Sequence, residues 1–422
     1  MSEAIKLNMD DAHAAAYATN LDELDIGDAK HWAPTENYWA LFERLRKEAP
    51  LHKCTVNEEE RVGDYWSVTR YNDIMAIDTD HKRFSSDKAI VLVDPEEDFV
   101  LPMFIAMDQP KHDAQRKTVS PVVAPSNLMN MEGLIRERTQ KVLDSIPVGE
   151  PFDWVETVSI ELTTMMLATL FDFPFEDRAK LTRWSDVATA DEEMGGVIDS
   201  NEQRREELLE CLAYFTKLWN ERVNEPPRGD LVSMLAHGKE TRNMEPFEYL
   251  GNLILLIVGG NDTTRNSMTG GIYAACGLFP EQFKKLQANP DLIPNAVSEI
   301  IRWQTPLAYM RRTALEDVEM HGKTIKKGDK VAMWYVSGNR DDTVIENPNH
   351  LLVDRKNARR HLSFGFGIHR CVGNRLGEMQ LKILWEEILA RFKSIEVLGE
   401  PTRVPSSFVK GYIKMMVQVE AK

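Results

Sequence analysis

Cys371 is the residue of this chain best placed to do chemistry. It stands in Phe364-Gly365-Phe366-Gly367-Ile368-His369-Arg370-Cys371-Val372-Gly373. Three glycines around one cysteine let the backbone pass close to something flat and bulky. Leu376, Met379, Ile383, Ile388 and Phe392 follow at helical spacing, so the cysteine precedes a helix N-terminus. Unpaired N–H groups and the helix dipole favour a thiolate there. Cys54, Cys211 and Cys276 are far away, and no zinc-spaced partner exists. Such a thiolate suits a single axial metal bond. A buried free cysteine in a tight turn is the plain alternative.

Two further groups stand out. Gly259-Gly260-Asn261-Asp262-Thr263-Thr264 lies inside the longest apolar helical stretch, where glycines, an acid and hydroxyls are poor choices. Local bending or chemistry is expected, against helix packing at the glycines with Asp262 facing solvent. Glu299 and Arg302 lie at i, i+3, so a salt bridge is possible. The same spacing recurs at Glu43/Arg46 and Glu202/Arg205; only the apolar helical setting of the 299/302 pair singles it out.

Helices must carry most of these groups. Apolar residues recur at helical spacing over 134–143, 158–170, 204–223, 246–278, 293–303 and 375–392. Strand-like pieces are short, at 65–69, 330–334 and 412–417, and 322–329 reads as turns between short strands. Gly195-Gly196 reads as a surface turn or a mobile loop. The 422 residues could make two or three domains, but nothing marks a boundary, so one large, mostly helical domain with a small β region is expected. Hydrophobic residues at 43% and charged residues at 28% suit a soluble globular protein. A net charge of −16 excludes a general nucleic-acid binder. The scattered cysteines read as reduced and cytosolic. No apolar run follows a basic start, and the longest, Leu253 to Val258, is too short to span a bilayer. A cytoplasmic protein without a membrane anchor is expected.

Phe364, Gly367, Cys371 and Gly373 match FxxGxxxCxG, and the chain thereby resembles the cytochrome P-450 family of haem-thiolate monooxygenases. The resemblance implies a single-domain triangular-prism fold over 38–422 behind an N-terminal extension, 1–37. It implies haem b, with Cys371 as the axial ligand of the iron and Phe364, Gly365 and Gly373 around it, and dioxygen as co-substrate. The thiolate donates electron density that favours O–O cleavage. Asp262 and Thr263 resemble the family's distal kink, with Thr263 as the hydroxyl that holds dioxygen and Asp262 as the acid that helps relay protons. His112, Arg116, Arg312 and His369 are implied as partners of the haem carboxylates. Glu299-Ile300-Ile301-Arg302 matches ExxR, a structural pair completed by Arg355.

The stretches 259–271 and 357–375 look closer still to the bacterial alkane-hydroxylase group. That likeness implies terminal hydroxylation of medium-chain alkanes or fatty acids, with electrons from a ferredoxin and its NAD(P)H-dependent reductase. Substrate-pocket candidates are Ile90, Val91, Leu92, Val93, Phe99, Val100, Leu255, Val258, Gly259, Leu307, Ala308, Tyr309, Met310 and Phe408, mostly apolar as a hydrocarbon site requires. Arg355, Lys356, Arg359, Arg360, Arg370 and Arg375 form a positive island with no acid between them, suited to an acidic redox partner or simply a solvated surface. Terpenoid or steroid hydroxylation is the alternative within the family; a haem-based gas sensor or carrier is the alternative outside enzymes.

Overall fold

The computed structural model describes residues 5–55, 61–190, 197–404 and 406–422; Gly195-Gly196 lies outside them. Each long stretch of helical spacing is a helix: Pro125–Ser145, Glu161–Phe171, Asn201–Arg222, Pro246–Ile272, Ile293–Gln304 and Asn374–Arg391. The Pro246–Ile272 helix runs through the middle of the molecule. It packs against Glu161–Phe171, Ala179–Thr189, Ile293–Gln304 and Asn374–Arg391. Being covered on several sides, it is apolar nearly all round, as a core helix must be.

The expectation of one helix over 246–278 is corrected at its end. After Ile272 the turns widen into π-helix over Tyr273–Leu278. No break occurs at 259–264; the helix is continuous through Asp262 and Thr263. The unusual residues there make side-chain contacts with neighbouring helices and with the cavity.

The β region is small. A five-stranded sheet orders Leu51–Cys54, Tyr65–Val68, Lys330–Met333, Met310–Ala314 and Phe84–Ser85, with the second and third strands parallel. Val318–Met320 and Lys323–Ile325 form a hairpin, in the region read as turns and short strands. The strand expected over 412–417 is two strands. Tyr412–Lys414 pairs with Thr402–Arg403, and Met416–Ala421 joins Phe152–Asp153 and Phe392–Val397. The chain changes sheets at Met415, whose N–H and C=O bond to Asp153 and Trp154.

The first residues described are not a loose tail. Ala12, Ala16, Leu24, Ile26 and Trp32 join the same buried cluster as Trp39, Trp303 and Trp334. Trp32 stacks on Tyr38 with ring centroids 4.7 Å apart. No helix among the described residues is long and apolar enough to cross a membrane.

Candidate active site

The cysteine loop is shaped by backbone that only glycine adopts freely. Gly365 and Gly367 have φ of +63° and +66°, and a Cβ on Gly367 would lie 2.7 Å from the Asp78 carbonyl oxygen. The turn closes with Cys371 N–H donating to Phe364 C=O at 2.8 Å. Gly373 caps the Asn374–Arg391 helix, and a Cβ there would meet nothing within 4 Å. Cys371 is enclosed by the fold yet open to the cavity beside it. Burial pushes its thiol above the ordinary value, while the Gly373 and Asn374 N–H groups, Arg116 and Arg370 pull the other way. The helix terminus favours the thiolate, as expected, but burial outweighs it. A bound metal cation is what deprotonates such a thiol outright.

The cavity encloses about 480 Å³. Cys371 and Gly373 form one wall and the long central helix another, through Leu255, Val258, Gly259 and Thr263. No Asp or Glu lines it among the described residues. Its cations are Lys88, His112, Arg116, Arg312 and His369. The last four gather at one edge. His112 and His369 have ring centroids 4.2 Å apart. Burial, with Arg312, His112 and Arg116 close by, holds the His369 imidazole down to about 2.

That edge keeps unpaired polar atoms on its cavity side. His112 Nε2 and both ring nitrogens of His369 are buried without a hydrogen-bond partner, although His112 Nδ1 meets Asp113 at 2.7 Å. Arg116 donates only to the Arg370 carbonyl. Buried donors left unpaired are costly, so this edge fits carboxylates. A lone cysteine, open space over Gly373 and unpaired donors across an apolar cavity match the donor set of a haem. Among the described residues no cluster of His, Cys, Asp and Glu offers a second metal site.

On the central helix, two neighbours point to different places. Thr263 lines the cavity, and its hydroxyl donates to the Gly259 carbonyl at 2.9 Å. Asp262 is fully buried and does not line the cavity, which removes the solvent-facing alternative. Its carboxylate accepts from Ser185 Oγ at 3.1 Å, Thr189 Oγ1 at 3.3 Å and Arg265 Nη2 at 2.9 Å. Arg265 in turn reaches Asp186 at 3.0 Å. Burial raises the Asp262 pKa above the usual carboxylate range, against the pull of Arg265. Thr189 both holds Asp262 and lines the cavity, which links the buried acid to the chamber. The paired glycines divide the work. A Cβ on Gly260 would lie 2.7 Å from Leu167 Cδ2, whereas one on Gly259 would meet nothing within 4 Å.

Glu299, Arg302 and Arg355 form one buried cluster. Arg302 Nε and Nη2 grip Glu299 at 2.7 and 2.8 Å, and Arg355 Nε reaches it at 2.8 Å. The remaining arginine donors go to carbonyls of Asn339, Glu346, Asn347, Pro348 and His350. Arg355 thus leaves the positive island. Lys356, Arg359, Arg360, Arg370 and Arg375 remain exposed around the cysteine loop.

Of the pocket candidates, Ile90, Val91, Val93, Phe99, Leu255, Val258, Gly259, Leu307, Met310 and Phe408 line the cavity. Four do not. Leu92 and Ala308 are buried behind the wall, Tyr309 packs its ring on Trp334 and Phe408, and Val100 turns out to solvent. Sequence reasoning missed Leu101 to Ala106, which lines the chamber without any periodic signal, and Ser185 and Thr189, whose role exists only across two packed helices.

The model of the Cytochrome P-450 family matches residues 200–414. The chain is 33% identical to linalool 8-monooxygenase of Pseudomonas putida, covering 90% of this chain and 95% of that one. It is 30% identical to the methyl-branched lipid omega-hydroxylase of Mycobacterium bovis, covering 92% and 93%. The solved structure of CYP153D17 from Sphingomonas sp. PAMC 26605 superimposes with a TM-score of 0.88 at 49% identity, over 95% of this chain and 100% of that one.

Proposed function

The chain belongs to the cytochrome P-450 family, and from that premise we propose that it hydroxylates the terminal carbon of medium-chain linear substrates, alkanes or fatty acids. The protein is an oxidoreductase, a monooxygenase that uses haem b and dioxygen. The haem, when bound, supplies the activation of dioxygen. The protein's residues hold it and control protons and substrate. In this reading the Cys371 thiolate would ligate the haem iron. His112, Arg116, Arg312 and His369 would hold the haem carboxylates. Thr263 presents its hydroxyl to the chamber, and Asp262, buried behind it, is the acid that helps relay protons.

The observation that carries the substrate reading is the cavity wall. Away from the cationic edge it is mostly aliphatic or aromatic, with Ile90, Val93, Leu255, Val258, Leu307 and Phe408 among the lining and Thr189, Thr264, Ser267 and Gln380 among the polar exceptions. An apolar chain gains about 0.8 kcal/mol for each buried CH₂ there. The likeness of 259–271 and 357–375 to the alkane-hydroxylase group and the omega-hydroxylase relative support attack at a chain end. The linalool monooxygenase relative favours a second reading, a terpenoid substrate. A spin-state titration of the haem separates the two. Linear alkanes and fatty acids of graded length should shift the Soret band with affinity that rises with length and then falls. Tighter binding of a terpene or a steroid than of every linear ligand would discard the linear-chain reading. A ferredoxin and its reductase are the electron donors in this account.

A further inference from the structure

Asp78, at the end of the Tyr71–Thr79 helix, belongs to no motif of the sequence, yet it touches both halves of the haem seat. Its side chain is buried, with 3% of the residue exposed. Oδ1 accepts from Arg312 Nη2 at 2.8 Å. Oδ2 accepts from the Phe366 N–H at 2.7 Å and the Tyr335 hydroxyl at 2.9 Å. Phe366 lies inside the cysteine loop, and both positive-φ glycines of that loop rest on the same place. A Cβ on Gly365 would come within 3.2 Å of Asp78 Oδ2. Arg312, on the other side, lines the cavity at its cationic edge.

Chance surface pairing does not build this arrangement. A buried carboxylate is costly unless its oxygens are filled, and here three donors fill them, one of them a guanidinium. The donors come from three separate segments, at Arg312, Tyr335 and Phe366. We propose that Asp78 is a positioning residue for the haem: one buried carboxylate ties the loop that presents the Cys371 sulfur to the arginine that meets the haem carboxylates. The placement of the sulfur relative to the carboxylate edge thereby depends on this side chain, beside the bond from Arg116 to the Arg370 carbonyl. Its charge also offsets part of that of Arg312, which lowers the reduction potential of the iron. This inference rests on the haem-thiolate reading of the cavity.

The test compares the parent holoenzyme with Asp78→Asn and Tyr335→Phe. Three properties are read: the Soret position of the reduced carbon monoxide complex, the reduction potential, and the rate of haem transfer to excess apomyoglobin. Asparagine removes the charge, and its one acceptor oxygen can serve Phe366 and Tyr335 or Arg312 but not all three, so its NH2 group must face a donor. Asp78→Asn should keep the red-shifted thiolate band, raise the potential, and release haem roughly tenfold faster, the scale expected for one unsatisfied buried group. Tyr335→Phe keeps the charge, so it should hasten release by a smaller factor and leave the potential in place. A folded Asp78→Asn protein with the parent's potential and release rate would overturn the proposal, as would one that merely melts earlier. If Asp78→Asn does not fold, Tyr335→Phe decides: release as slow as the parent's overturns it. Absence of the thiolate band in the parent would sink the haem-thiolate reading instead, so the two failures are distinguishable.

Discussion

Asp262 and Thr263 are neighbours in sequence whose side chains part company in space. The hydroxyl faces the chamber while the acid turns into a buried network with Ser185, Thr189 and Arg265. Separate substitutions should therefore have separate signatures. Thr263→Ala should still bind substrate and accept electrons, but product per NADH should fall at least ~10-fold with hydrogen peroxide released in its place, since general acid catalysis contributes on that scale or more. Asp262→Asn should slow turnover and enlarge the solvent isotope effect. Unchanged coupling of NADH to product in both would refute a distal relay. Cys371 gives a sharper contrast. Cys371→Ala or Cys371→His should abolish the red-shifted carbon monoxide band completely, because no other cysteine lines the cavity. At this scale the sequence was legible where one residue type in one spacing implies one chemistry, as in the cysteine loop. Asp78, Ser185 and Thr189 were not legible, because nothing local marks a polar residue whose partner lies across the fold.

The Ile293–Gln304 helix shows what an element contributes apart from chemistry. Glu299 is fully buried and accepts from Arg302, Arg355 and the Leu352 N–H. Through the arginines it gathers carbonyls of Asn339, Pro348 and His350, fixing the long irregular segment that leads to the cysteine loop. Removing one partner of a buried ion pair costs about 3–5 kcal/mol, because the other charge stays buried. Glu299→Gln should lose stability of that order in urea denaturation, together with haem retention; a loss below about 1 kcal/mol would contradict the clamp. Helical periodicity located the long helices well, since their buried faces impose it. It overran at Tyr273–Leu278, where the same apolar spacing continues through wider turns. The strand reading merged two strands at Met415, where the chain changes sheets within a continuous run of strand-forming residues. The segment 101–106 escaped altogether, because extended backbone and one short 3-10 turn at Phe104–Ala106 leave its apolar run no helical or strand period.

The whole molecule is acidic, at −16, but its cysteine face is not. Lys356, Arg359, Arg360, Arg370 and Arg375 are exposed there, next to the loop that carries the sulfur. An acidic ferredoxin docking on that face would be steered by charge, and screening limits such steering beyond about 10 Å at 0.1 M salt. Arg359→Glu or Arg360→Glu should slow electron transfer several-fold at low salt and little at high salt in stopped-flow reduction. Rates indifferent to both would place docking elsewhere. On the opposite side of that loop lies an apolar chamber with a cationic edge and no carboxylate in its wall. In the proposed reading the haem seat, the Thr263 hydroxyl and the substrate wall meet in one cavity, which a linear chain enters end-first. Secondary C–H bonds are weaker than the methyl C–H bonds at the tip, so selectivity for the tip must come from how the chamber holds the chain. The direct measurement is the ratio of primary to secondary alcohol formed from a medium-chain alkane by the holoenzyme with ferredoxin, reductase and NADH. The account predicts mainly the primary alcohol, and mainly in-chain alcohols would contradict it.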